Sequence, residues 1–347
     1  MPTLSLKEAI RLLPKTDLHC HLDGSLRPET VLDIANEERI DIGATDIGTL
    51  RKKLVCGEKV TDLPQFLQAF DITCAVLQSK KAIERVAFEL AEDAFLEGVR
   101  YIEVRYSPIL MMNKGLTMDE AIHAVYLGLQ RAQKKYTIRA TQIICALRVL
   151  DPKVSFELAQ AAIRNKKYDV VGFDLAHAEK GNLPSVHAAA FRAARQAGLH
   201  ATVHAGEAAG PDSILDAINS CKAERLGHGL TLHEDRGLEE RVKRENITVE
   251  CCPSSNVQIS LIREFQNHPI KGYLQRGVPA TLNTDNRLLT GITVSDEYAR
   301  AYEHLQLSWS QLVTLAENGF KAAFVNEAEK KNLLDEFHSK SSTIAFN

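Results

Sequence analysis

Eight short segments rich in Val, Ile, Thr and Leu recur along the 347-residue chain, and each is followed by a stretch with helical periodicity. Segments of this length and composition are typical of buried parallel strands. The sequence predicts strands at residues 16–22, 100–106, 141–149, 170–176, 200–204, 224–228, 247–252 and 279–284. Eight alternating units predict a closed (β/α)8 TIM barrel of the α/β class. A doubly wound sheet is the alternative, although such sheets usually have about five or six strands.

Capping signals mark the ends of predicted helices. The stretch over residues 82–97 places its apolar side chains near one face and ends before Gly98, a typical C-terminal cap. Thr117 and Glu120 form the capping-box pattern, which predicts a helix over residues 118–134. Helices are therefore predicted between the strands, as a (β/α)8 barrel requires.

The chain is longer than the barrel needs, since this fold takes about 250 residues. We expect a single domain over residues 1–347, with most of the surplus in residues 23–99, between the first two strands. That stretch contains LPQFLQAF, whose apolar residues at helical spacing are Leu63, Phe66, Leu67 and Phe70. The segment is either a helix packed on the barrel or a helical lid that gives a pocket its apolar wall.

Charge and hydropathy exclude several classes of function. Lys and Arg number 42 against 45 Asp and Glu, for a formal charge of −3. This balance argues against a nucleic-acid-binding surface. The sequence has no apolar run long enough for a transmembrane helix. The N-terminus lacks the order of regions typical of a secretory signal, so we expect a cytoplasmic protein without a membrane partner.

The seven cysteines point to a reducing compartment, because their number is odd and no C-x-x-C occurs. Cys20 lies between two histidines and is a possible nucleophile, but a small apolar residue facing away from the pocket is the simpler interpretation. Cys251 and Cys252 are interpreted as the end of a buried strand.

Histidines and an aspartate fall at the ends of predicted strands. His19 and His21 are two apart on the first strand, so their side chains point to the same side. His204, His228 and Asp285 end the fifth, sixth and eighth strands. Barrel enzymes carry their active sites at this end of the strands, and three protein ligands with an open position form a catalytic metal site.

These residues select a class of reaction. Three His and one Asp can hold a divalent metal, which lowers the pKa of a bound water to about 7. Glu207, three residues after His204, is the natural proton donor, and His228 or Asp285 can orient the nucleophile. The inferred chemistry is metal-assisted hydrolysis.

The motifs TDLHCHLDGSLR, VRYSP, HAGEAAGP, RLGHG, CPSSN and LNTDN, in this order, resemble the adenosine deaminase family of the amidohydrolase superfamily. The resemblance covers residues 14–330. It implies one zinc ion per subunit, with the ligands His19, His21, His204 and Asp285. It also implies that Glu207 protonates N1 of the purine, while His228 and Asp285 position and deprotonate the water that attacks C6.

Substrate-binding residues also follow from the resemblance. Asp23 matches the carboxylate that hydrogen-bonds the ribose 5′-hydroxyl, and an anion there would repel a 5′-phosphate. Adenine-specific relatives tend to have Glu at this position. Ser107 is typical of the nucleoside-specific members, and Leu63, Phe66, Leu67 and Phe70 match the apolar lid.

Two positions depart from the family pattern. Asn286 stands where a second Asp usually contacts purine N7, and an amide can still donate a hydrogen bond there. His177 stands where many members have a Gly whose backbone N–H reaches purine N3. The His177 side chain either points to solvent or narrows the pocket and changes specificity.

The resemblance thus implies deamination of adenosine and 2′-deoxyadenosine to inosine and 2′-deoxyinosine, with release of ammonia, in purine salvage. One alternative is the same chemistry on another 6-aminopurine, such as aminodeoxyfutalosine, an N6-substituted adenosine or adenine. Another is an inactive nucleoside-binding protein. The sequence carries no sign of the oligomeric state, and zinc, iron and cobalt all remain possible metals.

Overall fold

A computed structural model describes residues 4–55 and 63–346, with the side chains of residues 63–67 outside the description. Eight parallel strands form one sheet in sequential order. They are β1 (Lys15–His21), β2 (Val99–Tyr106), β3 (Arg139–Leu147), β4 (Val170–Ala176), β5 (His200–Ala205), β6 (Arg225–His228), β7 (Thr248–Cys251) and β8 (Ala280–Leu282). Every predicted strand is present, with β4 as predicted and the ends of the others shifted by at most two residues.

The sheet closes between its first and last strands just past the end of β8. Cys20 and Asp285 form a parallel bridge. The His21 amide donates to the Asp285 carbonyl at 2.7 Å, and the Asp285 amide donates to the His19 carbonyl at 2.8 Å. The predicted (β/α)8 TIM barrel is confirmed.

Helices alternate with the strands. They are α1 (Leu6–Leu12), α2 (Pro28–Glu38), α3 (Ile47–Leu54), α4 (Leu63–Val76), α5 (Lys80–Leu96), α6 (Met118–Lys135), α7 (Pro152–Arg164), α8 (Ala188–Gln196), α9 (Pro211–Asp216), α10 (Arg236–Arg244), α11 (Pro253–Gln258), α12 (Ile270–Arg276), α13 (Arg287–Thr290), α14 (Val294–Leu305), α15 (Trp309–Ala322) and α16 (Glu327–Ser341). The predicted capping box opens α6, where the Thr117 hydroxyl accepts from the Glu120 amide at 3.2 Å and the Glu120 carboxylate accepts from the Thr117 amide at 3.0 Å. Within residues 4–55 and 63–346, no helix has the length and apolar character needed to cross a bilayer.

The longest connection between two strands is the one from β1 to β2. Among the residues described between β1 and β2 there are four helices, α2 to α5, while the later strands are joined by shorter connections. Capping by side chains sets two of the helix starts in this insertion: Asp46 accepts from the Thr49 amide at 2.9 Å, and Ser79 from the Ala82 amide at 3.2 Å. The insertion thus follows directly on the strand that carries His19 and His21.

Candidate metal and active site

The five predicted strand-end residues lie together at the carboxyl-terminal mouth of the barrel. His19 and His21 are on β1, His204 is on β5, His228 ends β6, and Asp285 follows β8. His21 is the most accessible of them, while the other four are buried. Neighbouring parallel strands end at one edge, so residues far apart in sequence meet there.

Four side-chain tips converge on one point. His21 Nε2 lies 3.2 Å from His204 Nε2 and 3.4 Å from Asp285 Oδ1, and His19 Nε2 lies 3.5 Å from the same oxygen. Ligands about 2.0–2.1 Å from a tetrahedral zinc are roughly 3.4 Å from one another. His19 Nε2 is also buried without a hydrogen-bond partner among the described residues. These four residues therefore fit a divalent metal.

His228 belongs to the same cluster at longer range. One ligand atom from each of His19, His204, His228 and Asp285 lies within 4.8 Å of the others. His228 Nε2 also lies 3.5 Å from Glu207 Oε1. His228 therefore stands between the metal-binding cluster and the predicted proton donor.

Two buried carboxylates orient the histidine rings. Glu250 Oε2 lies 3.0 Å from His19 Nδ1, and Asp174 Oδ2 lies 3.0 Å from His204 Nδ1. Arg105 joins them, since its guanidinium donates to Asp174 at 2.9 Å and to Glu250 at 2.8 Å. Such carboxylate–histidine pairs fix the ring orientation and leave the opposite nitrogen free for a metal.

The pKa values of His19, His21 and Asp285 suit metal binding. Burial, followed by the charge of Arg105, lowers the pKa of His19 to about 4, and burial holds the pKa of His21 well below its usual range. Both rings are thus neutral at pH 7, as metal coordination requires. Burial opposes ionisation of Asp285, but the close contact with His19 and the other imidazoles around it, His228 and His21, hold the pKa of Asp285 well below its usual range.

Helix α11 supplies two further polar contacts. Ser255 Oγ donates to Asp285 Oδ2 at 2.6 Å, and Asn256 Nδ2 lies 3.2 Å from His228 Nδ1. Both residues come from the CPSSN motif. They hold Asp285 and His228 from the side away from the cluster.

The backbone is strained at the site. His228 and Asp285 adopt left-handed φ angles of 64° and 62°. This conformation is uncommon for residues other than glycine and concentrates at functional sites. Gly227, before His228, leaves room for the His19 ring, because a Cβ there would lie 2.9 Å from His19 Cε1.

Three predicted substrate residues present unpartnered polar atoms. Asp23 Oδ1, Ser107 Oγ and Asn286 Oδ1 are buried without a hydrogen-bond partner among the described residues. Gly24 lies directly against the Asn286 amide, since a Cβ on Gly24 would be 1.9 Å from Asn286 Oδ1. Burial raises the pKa of Asp23 to about 6. Buried polar groups of this kind call for a partner, which a bound ligand would provide.

Helix α4 lies beside this group. Cys74, in the second half of α4, has a thiol whose pKa is raised. Burial is the main cause, and the negative charge of the nearby Asp23 carboxylate is the second. The Phe70 side chain is partly buried and packs against the hydrophobic core. The side chains of Leu63, Phe66 and Leu67 lie outside the described residues, so their predicted contact with a substrate stays a prediction.

His177 follows β4 in a left-handed conformation, with φ 83°. Its side chain is exposed, and Nδ1 accepts from the Ala178 amide at 2.7 Å. The backbone thus adopts a conformation that glycine favours, and the exposed ring supports the first of the two alternatives for this residue.

The cysteine interpretations agree with the structure. Cys20 is fully buried, and burial raises the pKa of its thiol to about 12, which excludes a ready nucleophile. Cys251 and Cys252 lie buried at the end of β7.

Fold and site together define a barrel hydrolase of the amidohydrolase type. The family model for adenosine deaminase matches residues 14–340. An adenosine deaminase of Vibrio vulnificus is 35% identical over 322 residues, which cover 93% of this chain and 97% of that protein. The chain belongs to the adenosine deaminase family and is an enzyme of that family.

Solved structures agree with the assignment. An adenine deaminase from Arthrobacter aurescens superposes with a TM-score of 0.88 at 27% identity, covering 95% of this chain and all of the other. An N6-mAMP deaminase from Arabidopsis superposes with a TM-score of 0.84 at 27% identity, covering 96% of this chain and 99% of the other.

Sequence reasoning missed the residues behind the site, namely Arg105, Asp174, Glu250, Ser255 and Asn256. Three of them carried a signal: charged residues inside a strand predicted to be buried, as in RYIEVRY, VVGFDLA and ITVECC. Unpaired charges are almost never buried, so each such residue implies a partner across the barrel.

Proposed function

We propose that this enzyme deaminates adenosine and 2′-deoxyadenosine to inosine and 2′-deoxyinosine, with zinc as its metal. The convergence of His19, His21, His204 and Asp285 at 3.2–3.5 Å carries the proposal. A divalent ion held by these four would supply an acidified water at neutral pH.

The chain's own residues perform the remaining steps. Glu207 gives a proton to N1 of the purine ring, which makes C6 electrophilic. Asp285 and His228 orient the attacking water and take up its proton, and Asn256 fixes the His228 ring. Water adds to C6, and the proton taken from it passes to the amino group, which leaves as ammonia. The hydroxyl proton of the adduct returns to Glu207, so one water is consumed for each ammonia released.

Three unpartnered groups would hold the nucleoside. We infer that Asp23 accepts a hydrogen bond from the ribose 5′-hydroxyl and that Ser107 and Asn286 contact the nucleoside. Asp23 would repel a 5′-phosphate, which favours nucleosides over nucleotides. Leu63, Phe66 and Phe70 of α4 are proposed as an apolar cover, in the insertion of residues 23–99.

His177 is proposed to offer its backbone N–H to the purine, as the family's glycine does. Its left-handed φ angle supports this role. Because the His177 side chain is exposed, we expect that it does not narrow the pocket. We propose a cytoplasmic enzyme, because the six cysteines that the structure describes are free thiols.

Steady-state kinetics on the purified holoenzyme tests the proposal, with adenosine, deoxyadenosine, adenine, AMP and N6-methyladenosine compared in parallel with metal analysis. We expect the two adenosines to give the highest kcat/KM and a chelator to abolish turnover until zinc is restored. If the fully metal-loaded protein prefers adenine or N6-methyladenosine, that compound replaces adenosine as the proposed substrate. One that binds adenosine unchanged would be a binding protein.

A further inference from the structure

We propose that Glu179 is a positioning residue that holds the backbone around Glu207 and thereby aims the Glu207 carboxyl at the substrate. The proposal rests on the proposed function, in which Glu207 is the proton donor. Glu179 lies in the loop after β4, outside the motifs by which the chain resembles its family, and touches neither the predicted metal ligands nor the substrate-facing groups.

Glu179 is a buried carboxylate whose two oxygens accept three backbone hydrogen bonds from one short segment. Oε1 accepts from the Gly206 amide at 2.6 Å, and Oε2 accepts from the amides of Ala208 at 2.6 Å and Ala209 at 3.0 Å. These residues flank Glu207 on both sides. A carboxylate bound by several N–H groups forms strong, charge-assisted hydrogen bonds.

The segment needs such support because it has no regular structure. Residues 206–209 form a bend between β5 and α9, and Gly206 adopts a left-handed φ of 69°. The Glu207 side chain is 18% exposed, and within 4.0 Å its carboxylate meets one basic side chain in the described part of the chain, the His228 ring, whose Nε2 lies 3.5 Å away. The direction of the Glu207 carboxyl is therefore set mainly by its backbone.

Arg148 completes the arrangement from the other side. Its guanidinium donates to the His204 carbonyl and, at 2.9 Å, to the Asn182 carbonyl. Glu179 is the strongest of the charges acting on this buried guanidinium. Arg148 and Glu179 thus hold the His204 carbonyl and the Gly206 amide, on either side of Ala205. The three amide donors and the nearby positive charge lower the cost of burying the Glu179 carboxylate.

The test is the variant Glu179→Gln, which keeps the side-chain shape but has one acceptor oxygen instead of two. At least one of the three amides then faces an NH2 group that cannot accept. A misplacement of about 1 Å can cost about 100-fold in rate. We expect kcat for adenosine to fall about 10- to 100-fold, while KM changes less than about threefold and the metal content is unchanged. The exposed Glu157→Gln is the matched control and should behave as wild type.

A double variant separates positioning from a general structural role. If Glu179 acts through Glu207, adding Glu179→Gln to Glu207→Gln lowers the residual rate by less than about threefold, because the group being aimed is already absent. The same 10- to 100-fold loss in both backgrounds would overturn the proposal. So would a wild-type kcat in the single variant.

Amide hydrogen exchange in the wild-type protein keeps the inference testable if Glu179→Gln does not fold. The amides of Gly206, Ala208 and Ala209 should exchange at least about 100-fold more slowly than those of an exposed loop. Unprotected amides would refute the contact. Turnover of adenosine by the wild type reports on the proposed function separately, since the exchange rates do not depend on it.

Discussion

Ser255 donates a hydrogen bond to Asp285, with 2.6 Å between Oγ and Oδ2. The bond engages one carboxylate oxygen and leaves Oδ1 facing His19 and His21. Ser255→Ala should therefore loosen the orientation of Asp285 and weaken metal binding by about 10- to 100-fold, as for other residues behind metal ligands. Competition with a chelator of known affinity measures this. The exposed Ser185→Ala is the control, and an unchanged metal affinity in Ser255→Ala would contradict the assignment.

Glu207→Gln removes the predicted proton donor and keeps its shape. We expect kcat to fall about 100- to 10,000-fold, the range typical of a general acid, because N1 of the purine is no longer protonated. The metal content should stay at the wild-type level, since the four converging ligands remain. Kinetics and metal analysis of the same sample test this, with the exposed Glu234→Gln as control. Near-normal turnover would exclude Glu207 as the donor.

Asp23→Ala should affect substrates that carry ribose. Loss of a hydrogen bond to a charged group costs about 1.5–3 kcal/mol, so KM for adenosine should rise about 10- to 100-fold. Adenine, which has no ribose, is the matched control substrate, and its KM should change less than about threefold. Equal effects on adenosine and adenine would show that Asp23 does not contact the sugar.

Glu297 should make stability depend on pH. Burial raises the pKa of this carboxyl to about 8, opposed by the hydrogen bonds from Ser254 and the charge of Arg300. The folded protein therefore keeps a proton that the unfolded chain releases near pH 4.5. The stabilisation is complete below pH 4.5 and is lost as pH rises to about 8, on the order of a few kcal/mol.

Glu297→Gln cannot titrate and retains an oxygen for the Ser254 amide, which now donates to Glu297 Oε1 at 3.1 Å. Its free energy of unfolding, measured with urea from pH 5 to 8.5, should fall less with pH than that of the wild type. Glu303→Gln, an exposed change on the same helix α14, should leave the wild-type slope intact. Parallel slopes for the wild type and Glu297→Gln would show that Glu297 is ionised in the folded protein.

The barrel was predictable because each of its signals is local. Strands such as VVGFDLA are marked by β-branched and apolar residues, and the start of α6 is marked by Thr117 and Glu120 three residues apart. The strand-end positions of His204 and His228 could be predicted for the same reason. Because the carboxyl ends of all the strands lie at one face of a barrel, placing the strands also places these residues near one another.

The interior contacts could not be predicted in this way. Arg105 meets Asp174 and Glu250 across the barrel, and those partners are 69 and 145 residues away in sequence. The pairing depends on which residues face inward at the same height, and a one-residue shift in strand register would exchange the inward and outward faces. The Glu179 contact depends on a loop conformation, which composition does not specify.

The seam between β1 and β8 has a consequence for the integrity of the barrel. Its backbone hydrogen bonds join His19, His21 and Asp285, the same residues whose side chains face the predicted metal. An ion held by these side chains would link β1 to the segment after β8, and its binding free energy would stabilise the closed barrel. Loss of the ion would therefore favour separation of the first and last strands. In the apoprotein, β1 and β8 should separate before the other strand pairs of the sheet.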